Sequence, residues 1–278
     1  MRVSIFDQYG ALNSAPIFAA VRAGLNSNGI DHASMDMNAD VAVIWSALWQ
    51  GRMSRNKTVY EHYRSQQKPV IIVDVGALYR GNTWKISVNN ITANGYYGHQ
   101  ENLDPDRPRK LGISLATQVQ HNPYILIAAQ HRQSLQVAGV DVETWISAQV
   151  KQIRTVTDMP IHIRPHPRCQ LKLDLLPQDV EYEIPHKITN TYDSFDMHFD
   201  CHAVVNYNSG PGIQSAISGT RPVVDSTSLA HPVSVSVQDI EKPYNVDREQ
   251  WLVEICHTEY TLNEIQKGIW VKRLASAL

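Results

Sequence analysis

The chain has 278 residues, 25 Lys+Arg against 27 Asp+Glu, a formal net charge of -2 and 43% hydrophobic residues. Ordinary apolar content and a small net charge exclude a disordered chain and a strongly basic nucleic-acid coat. Three cysteines, Cys169, Cys201 and Cys256, odd in number and far apart, exclude a disulfide scaffold and read as structural thiols. No run approaches the ~20 apolar residues of a membrane helix. The N-terminus lacks the parts of a signal peptide. The expectation is a soluble, cytoplasmic chain with no membrane partner.

Residues 3–6 read as a first strand. Gly10, Asn13 and Ser14 lead into a helix with Pro16 in its first turn and helical apolar spacing over 17–25. Residues 41–45 read as a buried strand, 58–67 as a helix, and 69–74 as a second buried strand ending in Asp74. Residues 76–110 carry Asn82, Asn89, Asn90, Asn94 and Asn102 with the breakers Gly95, Gly98, Pro105 and Pro108, and read as one long functional loop. The rhythm then resumes. Strands are expected at 124–129, 160–164, 203–206 and 222–225, and helices at 142–156, 212–218 and 261–278. Continuous apolar strands between helices predict mostly parallel sheets covered on both faces. The polar interruption places a domain boundary near residue 120, giving units 1–120 and 121–278, with the final helix able to pack back on the first.

Charge divides along the same line. Residues 1–120 hold 12 Lys+Arg and 9 Asp+Glu, or +3; residues 121–278 hold 13 and 18, or -5. Arg52, Arg55, Lys57, Arg64 and Lys68 surround only Glu61. Such a run is a solvated helix face or a docking surface for a polyanion.

Two segments place polar clusters after apolar strands: Gln130-His131-Arg132, and Arg164-Pro165-His166-Pro167-Arg168. Open α/β sheets bind ligands beyond the carboxyl ends of their strands. Arginine offers planar donor pairs to phosphate, and histidine a donor or a charge. A third strand runs into Asn206-Tyr207-Asn208-Ser209-Gly210-Pro211-Gly212, where a helix start attracts anions. It is neither a Walker loop nor a dinucleotide fingerprint.

In order and spacing, these segments resemble the donor half of two-domain GT-B glycosyltransferases, specifically capsule- and lipopolysaccharide-type transferases with paired Gln-His and His-Pro motifs. The likeness covers roughly 121–278. The ending 248–278, with Trp251-Leu252, Glu264-Ile265 and Gly268, together with Tyr79-Arg80-Gly81 and Asn89-Asn90, also resembles small tailed-phage DNA-modifying glycosyltransferases. The resemblance implies a GT-B-like fold, two Rossmann-like domains with mostly parallel sheets facing across a cleft. It implies a nucleotide-sugar co-substrate, UDP-linked, with no other cofactor and no essential metal. Asp104-Pro105-Asp106 matches the metal-nucleotide motif of the other major glycosyltransferase fold in letters only, because it follows no strand. The phage likeness implies a hydroxylated pyrimidine in DNA as acceptor, and host cytoplasm as the compartment.

Carried over residue by residue, Gln130 and His131 would border the nucleotide. His166 would contact the donor phosphate, with Arg132, Arg164 or Arg168 as charge partners. Ser209 and Gly210 would bind the diphosphate, and Asp225 a ribose or sugar hydroxyl. An inverting transfer needs a base near the acceptor hydroxyl. Asp74 and Asp7 both end strands of the first unit, and Asp74 is preferred because Gly76 and the polar loop follow. Tyr79, Arg80, Trp84, Asn89 and Asn90 would line the acceptor side, and Arg52, Arg55 and Lys57 would meet a DNA backbone. The alternatives are a capsule- or lipopolysaccharide-type transferase using a CMP-linked acidic sugar, a nucleotide-sugar epimerase, and an inactive nucleotide-binding module.

Overall fold

The computed structural model describes residues 1–117, 122–184 and 199–278. The chain forms two compact units, Met1–Arg107 with Glu254–Leu278, and Pro108–Val253. The boundary expected at residue 120 lies outside the described residues. The division falls at Arg107/Pro108, and the last 25 residues of the chain belong to the first unit. Among the described residues, no helix is long and apolar enough to cross a membrane.

The first unit opens with β1 (Arg2–Ile5), α1 (Ala15–Ser27), β2 (Asp31–Ser34), β3 (Val41–Trp45), α2 (Arg55–Ser65), β4 (Val70–Val75) and β5 (Thr83–Val88). α3 (Arg107–Leu111) carries the chain into the second unit. There follow β6 (Ile125–Ala128), α4 (Val142–Ile153), β7 (Ile161–Arg164), β8 (Glu181–Tyr182), β9 (Ala203–Asn206), α5 (Gly210–Ser218) and β10 (Arg221–Val224). α6 (Glu249–Cys256) leads back to β11 (Glu259–Thr261), α7 (Leu262–Gln266) and α8 (Ile269–Leu274).

The first sheet has the order β11-β5-β4-β3-β1-β2. β2, β1, β3 and β4 are parallel, while β5 and β11 are antiparallel additions. The second sheet, β10-β9-β6-β7-β8, is parallel throughout. The long apolar strands behave as expected: β3 and β6 are buried at every position. Each fully buried Val, Ile or Leu contributes about 1.5–3 kcal/mol. One face of the second sheet packs Ile125, Ile127, Ile161 and Ile163 against Ile146, Val150 and Ile153 of α4.

Residues 76–110 are not one loop. β5 lies inside them, buried at all six positions although it carries Lys85 and Ser87. The expected closing helix 261–278 is broken at Gly268, whose φ of 68° leaves the helical region, and it divides into α7 and α8. The chain's return to the first unit is fastened by Arg107. Its guanidinium donates to the carbonyls of Cys256 (2.6 Å) and Glu259 (2.5 Å) and pairs with Glu264 at 2.7 Å. α1 meets this segment so closely that a Cβ at Gly24 would lie 2.4 Å from the Ile265 carbonyl oxygen.

Candidate functional site

Because the second sheet is parallel throughout, its strands all end on one edge. Gln130, His131, Asn208, Ser209 and Asp225 follow β6, β9 and β10, and His166 follows β7. A buried amide pair locks two of these ends together. Gln130 donates to Asn208 Oδ1 at 3.0 Å, and its own Oε1 accepts from the Asn208 backbone N–H at 2.6 Å. Asn208 Nδ2 donates to Thr227 Oγ1 at 2.9 Å, and Thr227 Oγ1 donates to Asp225 Oδ1 at 2.6 Å. Asn206 donates to the Ala128 carbonyl at 2.8 Å and accepts from the Ser209 N–H at 2.7 Å. Gln130 therefore serves as a scaffold residue, and one oxygen of Asp225 is held within its own turn. Asn206, Asn208 and Thr227 are the residues that sequence reasoning missed. Their signal was the run of amides in Asn206–Asn208, read at first only as a turn.

The two histidines are set in the same way. His131 Nδ1 accepts from the Gln133 backbone N–H at 3.2 Å, and His166 Nδ1 accepts from the Arg168 backbone N–H at 3.1 Å. A backbone N–H only donates, so each neutral ring carries its proton on Nε2. The rings meet edge-to-face, 5.2 Å between centroids. Among the described residues His131 Nε2 is buried with no hydrogen-bond partner, and burial pushes the His131 pKa down, against the Arg168 backbone and with the charges of Arg132 and Arg168. α5 starts at the same edge. Its cap residue Ser209 makes no side-chain bond to the first turn, so that end keeps its attraction for an anion.

The arginines divide. Arg132 is paired with Glu143 at 2.6 Å and donates to the Gln170 carbonyl at 2.9 Å. Arg164 is paired with Glu183 at 2.5 Å. Both are committed to carboxylates of their own unit. Arg168 is exposed beside His166.

In the first unit, Asp74 is the penultimate residue of β4. Its Oδ1 accepts from the Val75 N–H at 2.8 Å, and Ser46 Oγ lies 3.4 Å from Oδ2. Burial raises the Asp74 pKa, against the pull of Val75, Lys85, Arg80 and Ser46. The turn after β4 is fixed by Glu259, fully buried on β11. Its carboxylate accepts from Ala77 N (2.6 Å), Leu78 N (3.2 Å) and Thr83 Oγ1 (2.7 Å). A Cβ at Gly76 would lie 2.3 Å from Glu259 Oε2, so only glycine fits there. Tyr79 is half-exposed at the tip of this turn, with Arg80 next to it.

The other residues expected on the acceptor side are placed elsewhere. Antiparallel β5 pairs Trp84 with Val75 but Val88 with Ile71, so Asn89 and Asn90 emerge at the amino edge of β4, opposite Asp74. Asn89 Oδ1 accepts from Val70 N at 2.9 Å, and Asn90 Oδ1 accepts from Ile91 N at 2.8 Å. Both are structural. Trp84 is 5% exposed and belongs to the core. Asp7 is held by an ion pair with Arg22 and accepts from Ser34 Oγ at 2.9 Å. The basic run is divided. Lys57 pairs with Glu61 at 3.7 Å, and the Arg55 guanidinium lies 5.7 Å from the Tyr9 ring centre. Arg64 donates to the Lys68 carbonyl, and Lys68 donates to the Ala39 carbonyl at 3.0 Å. Arg52 stays exposed. Asp104 Oδ1 caps its own turn at Asp106 N, 3.0 Å away.

No family model matches the chain, and no curated protein sequence matches it. Solved structures do. The chain is similar to the beta Kdo 2,4 transferase of Thermosulfurimonas dismutans KpsC, with a TM-score of 0.54 at 11% identity, covering 96% of this chain and 98% of that one. The beta Kdo 2,7 transferase of the same KpsC gives a TM-score of 0.53 at 11% identity over 98% and 100%. The fold is GT-B-like: mixed α/β, with two mostly parallel sheets.

Proposed function

We propose that the chain is a glycosyltransferase that uses a nucleotide-linked sugar. One observation carries the reading. On adjacent strands of one sheet edge, His131 and His166 are both held to present Nε2–H, and the uncapped start of α5 shares that edge. These donors suit the phosphate of a leaving nucleotide. Asp74 takes the proton of the acceptor hydroxyl, the oxygen bonds to the anomeric carbon, and the carbon–phosphate-oxygen bond breaks. The electron pair leaves on the nucleotide phosphate, where the histidines and the helix end stabilise the charge. The chain's own donors meet this charge, so we expect transfer without a divalent metal.

A glycan acceptor and an acidic, CMP-linked sugar accord best with two observations. Two of the solved structures similar in fold are Kdo transferases, and in the basic run Lys57 is paired with Glu61 while Arg64 and Lys68 aim donors at carbonyls of their own unit. Exposed Arg52 and Arg55 support a hydroxylated pyrimidine in DNA, with a UDP-linked donor, as the second reading.

The test is a panel of UDP- and CMP-sugars against acidic oligosaccharides and DNA containing hydroxymethylcytosine, read by mass spectrometry with and without chelator. His166→Ala and Ser209→Ala should weaken nucleotide binding about tenfold or more, one charge-assisted hydrogen bond each. Asp74→Asn should bind nucleotide normally and lose turnover. Unchanged nucleotide binding in both donor-side variants would remove the donor site, and full turnover in Asp74→Asn would remove the base.

A further inference from the structure

A row of three ionisable residues crosses the antiparallel part of the first sheet. Lys85 on β5 is the direct partner of Asp74 on β4 and of Glu259 on β11. Directly opposed residues project from the same face with Cβ atoms about 5 Å apart. Lys85 is 7% exposed and Glu259 fully buried. The two carboxylates differ in how they are satisfied. Glu259 is saturated by two backbone N–H groups and the Thr83 hydroxyl, which fix it to the turn after β4. Asp74 holds one good hydrogen bond, from Val75 N, and a long one from Ser46. Among the described residues the Lys85 ammonium makes no ion pair or hydrogen bond; burial pushes its pKa down, and the charges of Glu259 and then Asp74 pull it back up. Burying an ammonium is costly unless an opposite charge balances it. Glu259 already has its donors, so Asp74 is the under-satisfied partner.

We propose that Lys85, paired across the strands with Asp74, is a positioning residue that holds the Asp74 carboxylate in its charged form through the field. This rests on the role given to Asp74 above. A lysine suits the task better than a bidentate arginine, because a compact charge on a flexible stem supports a carboxylate without occupying both of its oxygens. The other groups around Asp74 are Arg80 on the following turn and Ser46 after β3. Tyr97 and Ser87 complete the polar patch, Tyr97 within reach of the Asp74 charge and Ser87 buried beside it on β5. Arg80 pulls Asp74 in the same direction as Lys85, but from a partly exposed position on the turn, where water screens it.

The sign follows from the causes. Burial raises Asp74 and Lys85 lowers it. Removing the ammonium should raise Asp74 further, so the base would be lost at a higher pH. The experiment is NMR of the aspartate carboxyl carbons against pH in the full chain, with Asp74→Asn assigning the resonance. Lys85→Met should move the Asp74 midpoint up by about one pH unit or more, and Lys85→Arg should return it close to wild type. Circular dichroism checks that each variant is folded, and Lys85→Gln replaces Lys85→Met where packing fails. Where transfer is measurable, the acid limb of the rate profile should move with the midpoint. An Asp74 midpoint unmoved in folded Lys85→Met and Lys85→Gln overturns the proposal. A midpoint that moves while Asp74→Asn still transfers sustains the coupling and removes only the base.

Discussion

The two sheets handle polar strand-end residues differently. In the second unit every strand runs the same way, so every residue that follows a strand arrives at one edge. Gln130, His131, His166, Ser209 and Asp225 all do so. In the first unit β5 runs back against β4, so Asn89 and Asn90 follow a strand yet reach the opposite edge from Asp74. The rule that ligands bind beyond strand ends holds for parallel strands. One reversed strand turns the same residue types from site candidates into backbone caps.

The largest expected effect concerns what closes the reversed part of the first sheet. Arg107 is 8% exposed and links two carbonyls and Glu264 of the returning segment. Arg107→Met removes the donor from those carbonyls and the countercharge from Glu264, which among the described residues keeps only its Thr261 bonds, and should cost about 3–5 kcal/mol. Hydrogen exchange should then rise in β5 and β11 while β6 and β9 stay protected. Equal loss of protection in both sheets, or a cost under about 1 kcal/mol, would show that the return is not held by Arg107.

A smaller effect should separate two neighbours in the second sheet. Asn208 is 5% exposed, and its side chain and backbone meet Gln130, Gln136 and Thr227. Asn208→Ala strands these groups and should cost about 1–3 kcal/mol, with nucleotide binding falling alongside. Ser209→Ala, one residue on, should change stability by no more than about 0.5 kcal/mol while nucleotide binding weakens about tenfold or more. Thermal melts and nucleotide titrations on the two variants make the comparison. If Ser209→Ala destabilises as much as Asn208→Ala, the hydroxyl is part of the scaffold and not of the donor site.

How much of this was legible depends on what a strand displays in one dimension. β1, β3, β4, β6, β9 and β10 announce themselves as apolar runs because their faces are covered, and β7 by the alternation of Ile161 and Ile163 with His162 and Arg164. β2 does not, since Asp31–Ser34 is a polar outer strand with an exposed face. β5 is hidden because Lys85 and Ser87 interrupt the apolar pattern and an asparagine-rich stretch surrounds it. β11 has three residues and exists only because β5 offers an edge. The placement of Gln130, His131, His166, Ser209 and Asp225 at one sheet edge was readable because strand, then polar cluster, then helix is a local pattern. Lys85 and Glu259 were not, because their meaning lies in pairing across 174 positions of sequence.

The smallest prediction bears on the reversed strand itself. Asn89 has a φ of 67°, its Oδ1 accepts from Val70 N at 2.9 Å, and its carbonyl accepts from Tyr60 Oη at 2.9 Å. Asn89→Gly keeps the left-handed backbone but loses the acceptor for Val70, which should cost about 1 kcal/mol. Asn89→Ala adds the penalty of a Cβ in that region, about 1 kcal/mol more. Neither change touches the edge that holds Asp74, so turnover at saturating substrate should stay at the wild-type value in both. Chemical denaturation supplies the two costs, and transfer assays at a temperature where all three proteins are folded supply the rates. Were Asn89→Gly to keep its stability and lose turnover, Asn89 would belong to the acceptor side after all, and the edge assignment of β5 would fail with it.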